Sequence, residues 1–117
     1  MRTRPCPSLS DAMLASTSPD VFVERDDRGR FEILTRGVRF RRFGGDCYNY
    51  CLLAAGQIDL VVEAGLQAFD IVPLIPIVER AGGIVTNWEG GDARSGGRIL
   101  AAGDKRLHEA AVKLLSG

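Results

Sequence analysis

Short apolar runs typical of β-strands alternate along this chain with segments typical of α-helices. The strand-like runs cover 12–17, 38–43, 58–63, 84–87 and 98–102. The run 58–63 is rich in β-branched residues, as buried strands are, and it ends on an acid, Glu63. Because strands that alternate with helices form layered α/β structures, this order predicts an α/β fold with a mixed or parallel sheet.

The segments between these runs carry helix start and stop signals. We predict helices over 31–34, 47–55, 70–80 and 105–115, a loop over the polar stretch 26–30, and a turn at Ser18-Pro19-Asp20. Asp46 stands where it would cap the helix over 47–55, and Pro76 predicts a kink in the helix over 70–80. At 117 residues, we expect residues 1–117 to form one domain.

The charge balance argues against polyanionic partners. Fifteen basic and fifteen acidic residues give zero net charge, so we expect neither a nucleic acid nor a membrane as the partner. The cluster of Arg36, Arg39, Arg41 and Arg42 is better explained by a solvated strand face than by nucleic-acid binding. The first residues lack the apolar core of a secretory signal, which favours a cytoplasmic location.

Three cysteines, an odd number, make a poor disulfide framework. We predict that Cys6, Cys47 and Cys51 are small buried residues, because free cysteine is among the most buried residue types. The sequence has no nucleotide-binding glycine motif and contains one histidine, His108, so a catalytic triad has no further support.

Three acids stand at the ends of predicted elements. Asp70 opens a predicted helix, where a carboxylate caps free N–H groups and can also bind Mg²⁺ through its outer oxygen. Glu63 ends a strand and Asp46 opens a helix, and both ends can meet at the carboxyl edge of the sheet, where α/β proteins bind ligands. Position alone favours plain capping or solvation for each. Gly45, in the pair Gly44-Gly45, could allow close approach of a ligand, although such pairs are common in turns.

The stretch 69–83, FDIVPLIPIVERAGG, resembles the second signature of the inositol monophosphatase family, and FGGDCY at 43–48 is similar to the version found in its histidinol-phosphate phosphatases. The resemblance implies the C-terminal half of that fold and Mg²⁺ as the cofactor. It also implies that Asp70 binds the metal and that Asp46 and Glu63 contact the non-phosphate part of the substrate. Arg41 falls at a basic position near that pocket. A homo-oligomer is implied for the intact enzyme.

The family also carries an upstream glutamate and an Asp-Pro-x-Asp-Gly-[Thr/Ser] motif, which does not occur here. That motif holds most of the metals and binds the phosphate. We therefore assign no catalytic residue to this chain and expect it to be inactive alone, because metal-assisted phosphate hydrolysis needs several carboxylate ligands.

The leading hypothesis is hydrolysis of a small phosphorylated substrate, histidinol phosphate, because the acid at Asp46 suits a cationic substrate. A phosphatase for inositol phosphate or another sugar phosphate is the alternative within the family. A non-catalytic module that pairs with itself or with another protein is the alternative outside it.

Overall fold

The computed structural model describes residues 1–18 and 22–116, and its strands form one mixed sheet. The strands are β1 (Met13–Ser16), β2 (Phe40–Phe43), β3 (Leu60–Leu66), β4 (Ile84–Asn87) and β5 (Gly97–Ala102). They lie in the order β2-β1-β3-β5-β4. β1 is parallel to β2 and β3, whereas β5 is antiparallel to β3 and β4. The predicted α/β class with a mixed sheet is confirmed. Most of the predicted turn at 18–20 lies outside the described residues.

The helices cover both faces of the sheet. They are α1 (Arg25–Gly37), α2 (Tyr48–Ala54), α3 (Ala68–Ile71), α4 (Ile75–Arg80) and α5 (Lys105–Ser116). α1 and α5 share a core with alternate strand residues such as Leu60 and Val62, while α2, α3 and α4 pack on the opposite face with Val61. This division follows from the period of two in a strand. No helix in the described part of the chain is long and apolar enough to cross a bilayer.

The prediction of a loop over 26–30 was wrong. One helix, α1, continues from Arg25 to Gly37, because Asp27, Phe31, Leu34 and Thr35 repeat at helical spacing and are all buried. The polar residues of 26–30 lie mainly on its solvent side, where Arg30 forms an ion pair with Asp26 one turn earlier. Polarity alone was therefore mistaken for a loop.

The predicted helix over 70–80 is divided. It begins two residues earlier, at Ala68, and a 3₁₀ turn over Val72–Leu74 separates α3 from α4. Pro76 has no N–H to bond the carbonyl of Val72, so the regular hydrogen-bond ladder is interrupted just before the proline. The predicted irregularity is present, and it falls in the turn preceding Pro76.

β2 lies at one edge of the sheet, and all four of its residues are exposed. The sequence predicted a strand with only one solvated face. Among the described residues, β2 pairs with β1 alone, so its outer hydrogen-bonding edge is open.

Candidate functional site

A cavity of about 300 Å³ lies beyond the carboxyl ends of β1 and β3. It brings together Asp46, Glu63 and Asp70, the three acids that the sequence singled out. The rest of the cavity lining is uncharged, with two leucines and three residues that carry a hydroxyl or thiol group: Leu66, Leu74, Thr17, Cys47 and Tyr50. Its lining within the described chain includes three carboxylates and no lysine or arginine.

Glu63 is the buried acid of this site, with 2% of its surface exposed. It lies on the same face of β3 as Val61, and both of its carboxylate oxygens accept from the Thr17 hydroxyl, at 2.9 and 3.0 Å. Burial, together with the negative charges of Asp46 and Asp70, raises the pKa of Glu63 to about 7, against the opposing effects of the Thr17 hydrogen bond and the nearby Tyr50 hydroxyl. Its protonation therefore responds to whatever occupies the cavity.

Tyr50 lies beside Glu63 and is 1% exposed. Its hydroxyl is close enough to influence Glu63, yet it makes no hydrogen bond of acceptable geometry with any described residue. Burial, and then the charge of Glu63, raise the pKa of this phenol, so the hydroxyl keeps its proton.

Asp46 reaches the cavity from a loop with unusual backbone geometry. Its φ angle is +43°, and it follows Gly44 at +100° and Gly45 at +94°. The prediction that Asp46 caps the next helix was wrong, since Cys47 holds the cap position of α2 and no side chain bonds the helix start. Three successive left-handed residues instead turn the chain sharply, which leaves the Asp46 carboxylate among the groups that line the cavity.

Gly45 supports this loop without lining the cavity. A Cβ atom there would lie 2.5 Å from the Oδ1 atom of Asn49. The Asn49 side chain is buried and donates to the Gly44 carbonyl at 2.9 Å. Gly45 is thus required by close packing against Asn49, and the close approach of a ligand to Gly45 remains a prediction.

Asp70 is the third residue of α3 and is exposed. Its Oδ2 atom accepts from the backbone N–H of Gln67 at 3.0 Å, and the Gln67 side chain accepts in return from the backbone of Asp70. The position that was predicted to open the helix is therefore the inner half of a capping box. Its Oδ1 atom has no hydrogen bond within the described chain, so it is available to a ligand.

Arg41 is placed elsewhere. Its guanidinium donates to the Thr35 hydroxyl at 3.1 Å and lies 3.6 Å from the Glu32 carboxylate, both on α1. α1 packs on the opposite face of the sheet from α2, and Arg41 is not among the residues that line the cavity. The structure does not bring Arg41 together with the three acids.

The residues present fit a metal ion only in part. Within residues 1–18 and 22–116, no three His, Cys, Asp or Glu side chains are grouped as a metal site. Mg²⁺ requires a nearly octahedral set of oxygen ligands. Asp70 can contribute one of them, and the described residues do not supply a complete set.

The sequence analysis missed Thr17, Cys47 and Tyr50. Tyr50 follows Asp46 by four residues on a predicted helix, and Thr17 ends a strand that neighbours the one carrying Glu63, so both positions could have been inferred. Cys47 was predicted to be buried and is exposed, while Cys51 is half-buried; only Cys6 is buried as predicted. The start of α2 leaves Cys47 at the rim of the cavity.

A sequence model of the Inositol monophosphatase family matches residues 1–117. The chain belongs to this family. The family is, by its description, one of phosphatases. The chain is 39% identical over 122 residues to "Bifunctional phosphatase IMPL2, chloroplastic" of Arabidopsis thaliana, with 97% of this chain and 35% of that protein covered. It is 35% identical over 102 residues to "Histidinol-phosphatase" of Streptomyces coelicolor, with 87% and 38% covered.

Solved structures agree with the family assignment. A structure of an inositol monophosphatase from Zymomonas mobilis superposes with a TM-score of 0.94 at 43% identity, covering 100% of this chain and 47% of that chain. The extragenic suppressor protein suhB from Bartonella henselae superposes with a TM-score of 0.85 at 28% identity, with 97% and 45% covered. The chain thus spans less than half the length of these relatives.

Proposed function

We propose that this chain forms the substrate-recognition side of a Mg²⁺-dependent phosphomonoesterase that hydrolyses histidinol phosphate. The observation that carries the proposal is the cavity lining, in which Asp46, Glu63 and Asp70 converge and no described cation balances them. A cationic group in the substrate would relieve their mutual repulsion. Histidinol phosphate offers such a group in its amine and imidazole.

The three acids have separate roles in this proposal. Asp46 and Glu63 accept hydrogen bonds from the N–H groups of the substrate, because hydrogen bonds between ionised carboxylates and charged donors are stronger than those between neutral groups. Asp70 contributes one oxygen ligand to Mg²⁺, which when bound would polarise the phosphoryl group and lower the pKa of a bound water. Since one carboxylate does not complete a magnesium site, we expect the 117-residue chain alone to be inactive.

The relatives support two substrates. "Histidinol-phosphatase" is the name of the relatives from Streptomyces coelicolor and Mycobacterium tuberculosis, at 35% and 31% identity. An inositol phosphate is the second candidate, because the Zymomonas mobilis structure at 43% identity is described as an inositol monophosphatase. The acid at Asp46 favours the cationic substrate, since an uncharged polyol gains little from a carboxylate that has lost part of its hydration.

The substrate is tested by measuring kcat/KM for histidinol phosphate and for inositol 1-phosphate with the full-length enzyme. We expect kcat/KM to be at least about tenfold higher for histidinol phosphate, because one hydrogen bond to a charged group contributes a free energy that corresponds to about this ratio. Asp46→Asn should reduce this preference, whereas Asp92→Asn, at an exposed residue that does not line the cavity, should not. A wild-type preference for inositol 1-phosphate would contradict the proposal.

The metal ligand is tested separately with Mn²⁺ as a paramagnetic probe. Asp70→Asn should weaken Mn²⁺ binding to the full-length enzyme, as followed by electron paramagnetic resonance, and Asp92→Asn should leave it unchanged. Phosphate release by the 117-residue chain, with and without Mg²⁺, completes the test. Magnesium-dependent release that disappears in Asp70→Asn would show that this chain carries a complete site, against our proposal.

We also propose that the intact enzyme is a homo-oligomer. The open edge of β2, with Phe40 54% exposed and Phe43 40% exposed, supports this, because an unpaired strand edge can pair with the edge of another chain. Sedimentation velocity measures the mass directly, and a monomer across the working concentration range would exclude the assembly.

A further inference from the structure

The hydroxyl of Tyr50 is a buried polar group without a partner among the described residues. The residue is 1% exposed and lines the cavity next to Glu63. Buried hydroxyl groups are almost always hydrogen-bonded, because leaving one unpaired loses the hydration that it has in the unfolded chain. An unpaired hydroxyl at a cavity wall therefore indicates that a molecule in the cavity supplies the partner.

The neighbours of Tyr50 limit what that molecule can be. The Thr17 hydroxyl has a single proton, which it directs to the two Glu63 oxygens at 2.9 and 3.0 Å. Glu63 therefore keeps most of its lone pairs free, and the Tyr50 oxygen has two of its own. This corner of the cavity offers several acceptors close together, and its hydroxyl protons are those of Thr17 and Tyr50.

An ammonium or imidazolium group matches this arrangement. Such a group carries two or three N–H donors and no acceptor, so it can bond Glu63 and Tyr50 at the same time. A neutral alcohol can donate to Glu63 and accept from the Tyr50 hydroxyl, but it carries no charge to offset the carboxylates of Asp46, Glu63 and Asp70. The excess of negative charge around Tyr50 and Glu63 therefore favours a nitrogen cation over a neutral alcohol.

We propose that Tyr50 is a specificity-determining residue. Its hydroxyl and the Glu63 carboxylate both accept hydrogen bonds from one cationic nitrogen group of the substrate. This inference rests on the proposed function, because it requires a substrate with N–H donors. It adds a recognition residue to the three acids and assigns it to the nitrogen end of the substrate.

The test compares Tyr50→Phe with Tyr48→Phe in the full-length enzyme. Both variants lose one hydroxyl from α2, but Tyr48 is 61% exposed and does not line the cavity, so it serves as the matched control. The phenylalanine ring fills the same core space at position 50. We expect kcat/KM for histidinol phosphate to fall about tenfold in Tyr50→Phe, chiefly through KM, and to stay unchanged in Tyr48→Phe.

Two further measurements separate recognition from structural support. The loss in kcat/KM caused by Tyr50→Phe should be about tenfold smaller for phenyl phosphate, which has no N–H group, than for histidinol phosphate. Histidinol, which lacks the phosphate, should bind about tenfold more weakly to Tyr50→Phe by calorimetry. The melting temperature of the unliganded Tyr50→Phe should stay equal or rise by about 2–4 °C, because an unpaired buried hydroxyl is removed.

The outcomes distinguish this inference from the proposed function. A wild type that prefers histidinol phosphate, with Tyr50→Phe behaving identically, overturns the role of Tyr50 and leaves the proposed function standing. A lowered melting temperature with equal losses for phenyl phosphate and histidinol phosphate shows that the hydroxyl only supports the structure. A wild type without preference for histidinol phosphate overturns both.

Discussion

Replacing Glu63 by glutamine should change how the stability of this protein depends on pH. Glu63 is buried at the cavity, and its pKa is raised from 4.5 to about 7, first by burial. Glutamine has nearly the same shape and can accept from the Thr17 hydroxyl through its amide oxygen, but it does not titrate. The substitution therefore removes the ionisation while keeping the packing and one hydrogen bond.

The sign and the size of the effect follow from the two pKa values. Because the folded-state value is the higher one, the folded protein binds more protons than the unfolded chain between pH 4.5 and pH 7. Stability is therefore lost as the pH rises through this window. Each pH unit within it lowers the free energy of unfolding by about 1.4 kcal/mol, so the ionisation of Glu63 costs about 3 kcal/mol at pH 8.

Urea denaturation at pH 5, 6, 7 and 8 measures this cost. The free energy of unfolding of Glu63→Gln minus that of the wild type should increase by about 2–3 kcal/mol from pH 5 to pH 8. Other titrating groups cancel in this difference. Glu79→Gln, at an exposed position of α4, should give a difference that does not vary with pH. Parallel pH profiles for Glu63→Gln and the wild type would refute the reasoning that burial controls this carboxyl.

Three further predictions concern other parts of the chain. Arg4→Met should lower the free energy of unfolding by about 2 kcal/mol in urea titrations, because it leaves the buried Asp59 carboxylate without its ion-pair partner. Arg4 is 39% exposed, and solvent screening reduces the loss. Thr86→Val should lower the free energy of unfolding by about 1–2 kcal/mol in the same assay, because His108 loses its 2.7 Å partner. Burial lowers the pKa of His108, so the contribution of His108 to stability should decrease below about pH 6.5, where the unfolded histidine gains a proton; the free energy of unfolding of His108→Gln minus that of the wild type should therefore increase as the pH falls. Asp46→Gly should raise the melting temperature, by relief of about 1 kcal/mol of left-handed strain at φ +43°, while weakening histidinol binding in calorimetry.

The sheet could be predicted from the sequence because its strands have distinctive composition. The run over 58–63 and the segment at 84–87 are short, apolar and bounded by glycine or polar residues, and a strand forms at each. β4 (Ile84–Asn87) has the predicted bounds, whereas β3 (Leu60–Leu66) begins two residues later and ends three residues later than predicted. α1 could not be placed fully, because its first two turns expose charged residues and contain Gly29. A helix that packs on a large core needs only a few buried positions, and these are hard to recognise in a sequence segment whose other residues are polar.

The candidate site was predictable in its acids and not in its neutral members. Asp46, Glu63 and Asp70 were singled out because each was predicted to end or begin an element at the carboxyl edge of the sheet, and all three line the cavity. The prediction that Glu63 ends its strand was wrong, because β3 continues to Leu66. The local roles of the acids differed from prediction, since the left-handed turn at Asp46 depends on packing between Gly45 and Asn49. Contacts of this kind have no counterpart in residue spacing.

The unpaired hydroxyl of Tyr50 is itself an argument for binding. Far from the cavity, the buried Asp59 is fully paired, through two hydrogen bonds from Arg4 and one from the Met13 backbone. The buried side-chain oxygens that lack partners within the described chain belong to Ser16, Asn49 and Tyr50, and of these residues Tyr50 alone lines the cavity. Since an unpaired group lowers stability, a polar group left open at a cavity wall is expected where a ligand completes the hydrogen bonding.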